Sequence, residues 1–149
     1  MMKILTENKQ PKAFIDTNVI LDALTGRDYL FKDALNLIRQ IVYGNVDAYI
    51  CNKQITDIYC ISKKYYKNEE QRRKMVKTII ETFNVLPLLK GDVLACINTE
   101  MKDFEDAILD EVAKVNVIPY FITNNVNDFK NSKSTVVTPK QFLDLFQLK

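Results

Sequence analysis

The chain contains no histidine. That absence removes the Ser-His and Cys-His nucleophile systems and the common zinc ligand at one stroke. An enzyme built on this sequence must work with carboxylates, hydroxyls, Lys, Tyr or a hard metal ion. Cysteine is nearly as scarce. Cys51, Cys60 and Cys96 are an odd number at wide spacing, which argues against a disulfide framework and a zinc site and for buried free thiols in a reducing cytoplasm. Three glycines and four prolines leave little room for long flexible linkers. No apolar run approaches the ~20 residues of a membrane span, and the polar stretch Met1 to Pro11 lacks the apolar core of a signal peptide. It reads as a lead-in with little structure. With 149 residues, 47% hydrophobic and 27% charged, the chain is expected to form one soluble domain over 1–149 without a membrane partner.

What is present is alternation. Ala13-Phe14-Ile15 is a short apolar run that breaks into Asp16-Thr17-Asn18 and then into Val19-Ile20-Leu21. That is the pattern of a buried strand turning directly into a short helix, Asn18 to Leu24, which stops at Thr25-Gly26-Arg27. Helical spacing of Leu30, Ala34, Leu37, Ile38, Ile41 and Val42 predicts a second helix over 28–43. A strand at Asp47 to Cys51 follows, then a helix capped by Asn52 and running to about Tyr66. The remaining elements are a helix from Glu69 to Phe83, a strand from Asn84 to Leu88 placed at an edge by Pro87, and helices from Gly91 to Met101 and from Phe104 to Val115. A strand at Ile118 to Thr123, a short strand at Ser134 to Val137, and a helix from Pro139 to Phe146 opened by Thr138-Pro139 complete the chain. Strands alternating with helices imply a three-layer α/β/α sandwich with a mainly parallel central sheet.

Ligands in open α/β sheets bind outside the carboxyl ends of the strands. Four places offer polar groups at a strand end or a helix start: Asp16 with Thr17 and Asn18; Asp57 in the third helix; Asp103 and Asp106 at the start of the sixth; and Thr123-Asn124-Asn125 with Asp128 after the fourth strand. Each has a structural use of its own. Asp16 to Asn18 and Asp103 suit helix caps, Asp57 a solvated helix face, and Asn124-Asn125 a turn. Taken together they are an oxygen-rich set without N or S donors, which suits Mg²⁺ or Mn²⁺ rather than Zn²⁺.

The net charge is only +2, but it is segregated. Lys63 to Lys77 holds seven basic residues against Glu69 and Glu70, a net of +5, and Glu100 to Glu111 holds six acids against Lys102, a net of −5. An acidic cluster beside a basic flank suits a metal-dependent enzyme acting on a polyanion, although basic runs are commonly just solvated helix faces.

Phe14-Ile15-Asp16-Thr17-Asn18-Val19-Ile20-Leu21-Asp22 resembles the opening motif of PIN-domain proteins. Asp103-Phe104-Glu105-Asp106-Ala107 resembles the family's acidic helix start, and Phe121 to Phe129 its closing Thr-Arg-Asn-x-x-Asp-Phe motif. The likeness runs in order from Lys12 to about Phe142. It implies a PIN-like fold and a VapC-type ribonuclease, the toxin of a toxin–antitoxin pair, with Mg²⁺ or Mn²⁺ as cofactor, RNA as substrate, an antitoxin protein as partner and a homodimer as assembly. By the same resemblance Asp16, Asp106 and Asp128 match metal-binding acids, and Asp57 completes a catalytic set of four. Thr17, Asn18, Thr123 and Asn125 support the acids, and Asp103 either contributes or caps. Lys63, Lys64, Lys67, Arg72, Arg73 and Lys74 would hold the RNA backbone, with Tyr65 and Tyr66 available for stacking. Three positions depart from the family: Asp57 stands where Glu is usual, Asn125 where some relatives have Asp, and Asn124 where Arg is frequent. These departures keep open a catalytically weak or inactive RNA- or protein-binding module on the same fold. A phosphatase-like enzyme with Asp16 as nucleophile would want a second Asp where Asn18 stands.

Overall fold

The computed structural model describes residues 9–26 and 29–149. Most of the expected lead-in, together with Arg27 and the predicted helix start at Asp28, lies outside the described residues. The elements are β1 (Lys12–Ile15), α1 (Thr17–Thr25), α2 (Phe31–Val42), β2 (Asp47–Cys51), α3 (Asn52–Ser62), α4 (Glu69–Thr82), β3 (Asn84–Leu86), α5 (Lys90–Ala95), α6 (Phe104–Val115), β4 (Tyr120–Ile122), a 3₁₀ turn (Val126–Phe129), β5 (Thr135–Val137) and α7 (Pro139–Leu145).

All strand pairs are parallel, in the order β3-β2-β1-β4-β5. β1 is therefore central. Ala13, Phe14 and Ile15 are fully buried, as expected of a parallel strand covered on both faces. Because strand side chains alternate, Ala13 and Ile15 pack into one layer with Ile20, Leu37, Ile41, Ile58 and Phe142 from α1, α2, α3 and α7. Phe14 points into the other, with Leu109 and Val112 of α6 and with Phe121 and Phe129. Phe14 stacks on Phe121 at 5.3 Å between centroids, and Phe121 meets Phe129 at 4.4 Å. The expected three-layer α/β/α sandwich is found, with its two cores on opposite faces of the sheet.

Local differences have local causes. The N-cap of α3 is Cys51, not Asn52: its backbone is extended, and the Gln54 side chain accepts its N–H at 2.7 Å. Asn52 instead accepts the Leu88 N–H at 3.2 Å, tying the segment after β3 to α3. The α3 helix stops at Ser62 rather than Tyr66, and the chain tightens there into turns in which the amides of Lys64 and Tyr65 bond three residues back, to Ile61 and Ser62. Likewise α5 ends at Ala95 rather than Met101, and the chain continues through i→i+3 turns at Ile97 and Thr99. As Pro87 suggested, β3 is an edge strand. It ends at Leu86, since proline has no N–H to give the ladder. The 3₁₀ turn at Val126–Phe129 is too short to leave a periodic signal, yet it buries Phe129.

Candidate functional site

The sheet register builds the first part of the site. Ile15 of β1 lies beside Ile122 of β4, so the next residue of each strand, Asp16 and Thr123, must also be neighbours at the carboxyl rim. The Asp16 N–H bonds to the Ile122 carbonyl at 2.9 Å. Asp16 occupies the N-cap position of α1, but its side chain makes no cap hydrogen bond. Its Oδ2 accepts from Thr123 Oγ1 at 2.8 Å instead. The ionised carboxylate can only accept, so Thr123 Oγ1 is the donor, and it in turn accepts the Asn125 N–H at 3.0 Å. Both Asp16 and Thr123 are buried. Burial raises the Asp16 pKa above the usual carboxylate value; the Thr123 hydroxyl and the Thr17 N–H pull it down, and Asp128 and Asp103 push it up again.

The second part comes from α6. Asp103 is its N-cap, accepting the Asp106 N–H at 3.0 Å. That bond leaves the Asp106 carboxylate uninvolved in the cap. Burial, followed by the charges of Asp103, Asp16, Asp128 and Glu105, raises the Asp106 pKa to about 7. Five carboxylates from three separate segments thus act on one another through space. Asp106 is the group on which their repulsion concentrates.

Two clefts meet at this residue. One, of about 310 Å³, is lined by Asp16, Thr17, Asn18, Lys53, Asp57, Cys60, Ile61, Glu105, Asp106 and Leu109. The other, of about 390 Å³, is lined by Glu100, Met101, Lys102, Asp103, Asp106, Asn127, Asp128, Lys130 and Asn131. Asp16 and Asp57 therefore face one side of Asp106, and Asp128 the other. Among the described residues, no three acidic or thiol side chains stand close enough together to form a ready metal-ligand set. Asp57 is engaged: its Oδ2 accepts from Lys53 Nζ at 2.6 Å.

The sequence profile of the PIN domain matches residues 12–127. The chain belongs to the PIN-domain family. It is 24% identical over 138 residues to "Ribonuclease VapC1" of Aquifex aeolicus (strain VF5), an alignment covering 89% of this chain and 94% of that protein. Its fold is similar to that of a toxin-antitoxin complex from Klebsiella pneumoniae, with TM-score 0.62 and 24% identity over 85% of this chain and 97% of that one. It is also similar to VapBC2 from Rickettsia felis, bound to a DNA fragment from its promoter, with TM-score 0.63 and 14% identity over 85% and 98%. The expected PIN-like architecture is thus found both in the sequence profile and in the fold.

The basic residues of this PIN domain are not equivalent. Arg72 Nη1 donates to the Tyr66 carbonyl at 2.6 Å, and its guanidinium lies over the Tyr59 ring, so Arg72 fastens α4 to α3. The Tyr66 hydroxyl donates to the Leu24 carbonyl at 2.8 Å, a packing role, whereas Tyr65 is exposed. Arg73 and Lys74 pair with Glu69 and Glu70 one turn back. Lys63 lies over the Tyr59 ring at 5.4 Å. Lys63, Lys64 and Lys67 are exposed, in the stretch of chain that follows the cleft-lining residues Cys60 and Ile61.

Two residues beside the site went unread in the sequence, Lys53 and Gln54. The fully buried Gln54 donates to the Ile15 carbonyl at 2.8 Å and to Thr17 Oγ1 at 3.2 Å. It clamps the end of β1 immediately next to Asp16. The available signal was the Cys51-x-x-Gln54 spacing of a capping box, hidden by placing the cap at Asn52. Asn124, the residue at which the closing motif departs from the expected Arg, donates to Asp22 Oδ2 at 2.7 Å and ties the exit of β4 to α1.

Proposed function

We propose that this PIN domain is a Mg²⁺- or Mn²⁺-dependent endoribonuclease of the VapC type, the toxin of a toxin–antitoxin pair. The observation that carries the proposal is the concentration of carboxylate charge on Asp106, at the junction of two clefts on the carboxyl rim of the sheet. The donor set fits a hard divalent cation: every donor is oxygen, and the clustered negative charge is what such a cation relieves. Mg²⁺ keeps several of its waters and commonly needs only one or two carboxylates, so the lack of a three-acid set is compatible with it. Asp16 and Asp106 would hold the ion, with Asp128 reaching it from the second cleft. When bound, the ion supplies a positive centre that lowers the pKa of a water and offsets charge on a phosphodiester.

The chain's own residues do the positioning. Thr123, held by the Asn125 N–H, fixes the Asp16 carboxylate. Gln54 holds Thr17 and the end of β1, and Asp103 fixes the first turn of α6 and with it Asp106. Asn18 lines the cleft beside them. Lys63, Lys64 and Lys67, exposed in the chain that follows the cleft-lining Cys60 and Ile61, would offer positive charge to an RNA backbone. Arg73 and Lys74 form exposed i,i+4 pairs with Glu69 and Glu70, which hold them only weakly and leave them able to contribute.

The named relatives support the toxin reading: one is called a ribonuclease, and one of the similar structures is a toxin-antitoxin complex. An antitoxin protein, a homodimeric assembly and a cytoplasmic location belong to the same proposal. Purified protein is expected to cleave single-stranded RNA with Mn²⁺ or Mg²⁺ and to stop with EDTA. Asp16→Asn and Asp106→Asn should each lose at least ~10²-fold in cleavage with an unchanged circular-dichroism spectrum. Full activity in both variants would sink the assignment. A second reading, a weak or inactive binding module, is favoured by one observation, the Lys53–Asp57 ion pair that occupies the position of the family's usual Glu. RNA binding without cleavage at any metal concentration would select it.

A further inference from the structure

The cleft that holds Asp16 and Asp106 also holds one cation. Among the described residues lining it, Lys53 is the only basic one. It lies in the first turn of α3, one turn before Asp57, and its Nζ is 2.6 Å from Asp57 and 3.8 Å from Glu105 of α6. Its side chain is 22% exposed, against 40% for Asp57 and 75% for Glu105. The lysine is therefore the inner member of the group, and the acids flank it.

An ammonium has three hydrogens to donate. Asp57 takes one, and Glu105 at 3.8 Å is beyond hydrogen-bond distance. Donor capacity thus remains for a further anionic oxygen inside an otherwise acidic cleft. A polyanion entering that cleft meets Asp16, Asp106 and Glu105, all of one sign. Without a local positive charge the approach is repulsive. The bond to Asp57 also restrains a long flexible side chain in advance, which lowers the entropy lost when it takes up a ligand. The exposed run on α4 offers no equivalent inside the cleft, because Arg73, Lys74 and Lys77 do not line it.

We propose that Lys53 binds a backbone phosphate of single-stranded RNA in the cleft, with Asp57 acting as its anchor rather than as a fourth free acid. The proposal rests on the ribonuclease reading above and adds to it a substrate contact and a changed role for Asp57.

The test is RNA binding in the full-length Asp16→Asn protein, which does not depend on turnover. Fluorescence polarisation of a 5′-labelled single-stranded RNA is followed across salt concentrations. In that background Lys53→Met should weaken binding several-fold at low salt and make the log Kd against log salt slope shallower by about 0.7, the value of one single-strand phosphate contact. Lys53→Arg should restore most of both. Asp57→Asn, which keeps the ammonium, should hold the slope and bind at least as tightly. Thermal melts check that each variant folds, and Lys53→Gln repeats the measurement if the methionine variant does not. An unchanged affinity and slope for Lys53→Met would overturn the role of Lys53 and leave the ribonuclease reading standing. So would faster cleavage by Lys53→Met in the otherwise unmodified protein, which would make the pair an internal lock on Asp57. A parent Asp16→Asn protein that fails to bind RNA at any salt would overturn both.

Discussion

Asp106 should make the protein less stable than it would be with a neutral residue there, and the size of the effect follows from its surroundings. Its carboxyl is raised from 3.8 to about 7 by burial and by Asp103, Asp16, Asp128 and Glu105. At about 1.36 kcal/mol per unit, the full shift corresponds to ~4 kcal/mol. Solvent screening of a partly exposed site lowers that, and an acid in the first turn of α6 recovers up to ~1 kcal/mol from the helix N-terminus. A net destabilisation of ~2 kcal/mol at neutral pH remains. The sign is set by proton linkage: between pH 4 and 7 the folded state binds more protons than the unfolded state, so stability falls as pH rises through that window and levels off above 7. Asp106→Asn removes the charge. In EDTA it should melt roughly 4–8 °C above the parent at pH 8, taking ~2–4 °C per kcal/mol for a chain of this size. That advantage should shrink to nothing near pH 4, where Asp106 is protonated in the folded parent. Saturating Mn²⁺ should raise the parent's melting temperature and narrow the gap, because a ligand bound only by the folded state stabilises it. The assay is thermal unfolding by circular dichroism at pH 4, 6 and 8, with and without metal. A variant no more stable than the parent at pH 8 would refute the claim that repulsion concentrates on Asp106.

Thr123→Val keeps the shape of the β4 end but removes the hydroxyl that donates to buried Asp16. It should cost ~2 kcal/mol in urea unfolding at pH 8 and raise the Asp16 pKa further, displacing the acid limb of the cleavage pH profile upward, while Thr123→Ser should restore both. Gln54→Leu strips the Ile15 carbonyl, the Thr17 hydroxyl and the Cys51 N–H of buried partners. It should cost ~3 kcal/mol or more and lower activity without any direct contact to substrate, which a parallel stability and cleavage measurement will register.

Much of the architecture was legible in the chain because it depends on period and punctuation. The unbroken Ala13-Phe14-Ile15 run marked a strand covered on both faces, and Asp103 and Thr138 announced their helices as caps. The misplacements share one cause. Asn52 looked like the better cap, but the choice between it and Cys51 depends on which side chain meets the Leu88 amide, a contact 36 residues away in sequence. The end of α3 at Ser62 was equally hidden, since Tyr66 leaves the helix to bond Leu24 across 42 residues. The site divides the same way. The identities and order of Asp16, Asp106 and Asp128 stood in the sequence, but the use of Asp57 did not. A lysine four residues before an aspartate is an ordinary helix pair until α6 brings Glu105 alongside and encloses the lysine in a cleft.

The sequence by itself determined the chemistry available to this protein. Without histidine and with three scattered cysteines, it left carboxylates as the natural reactive groups, and its apolar alternation required a parallel sheet whose rim would collect them. The tertiary structure decided how those carboxylates are used. Register placed Thr123 beside Asp16 and turned a possible helix cap into a held, buried acid. Packing of α6 against the sheet placed Asp106 where four negative charges act on it, and the approach of α3 to α6 set Lys53 in the acidic cleft. These outcomes depend on distances between segments as much as 107 residues apart, and electrostatic energy is set by those distances and by burial, neither of which a linear sequence contains.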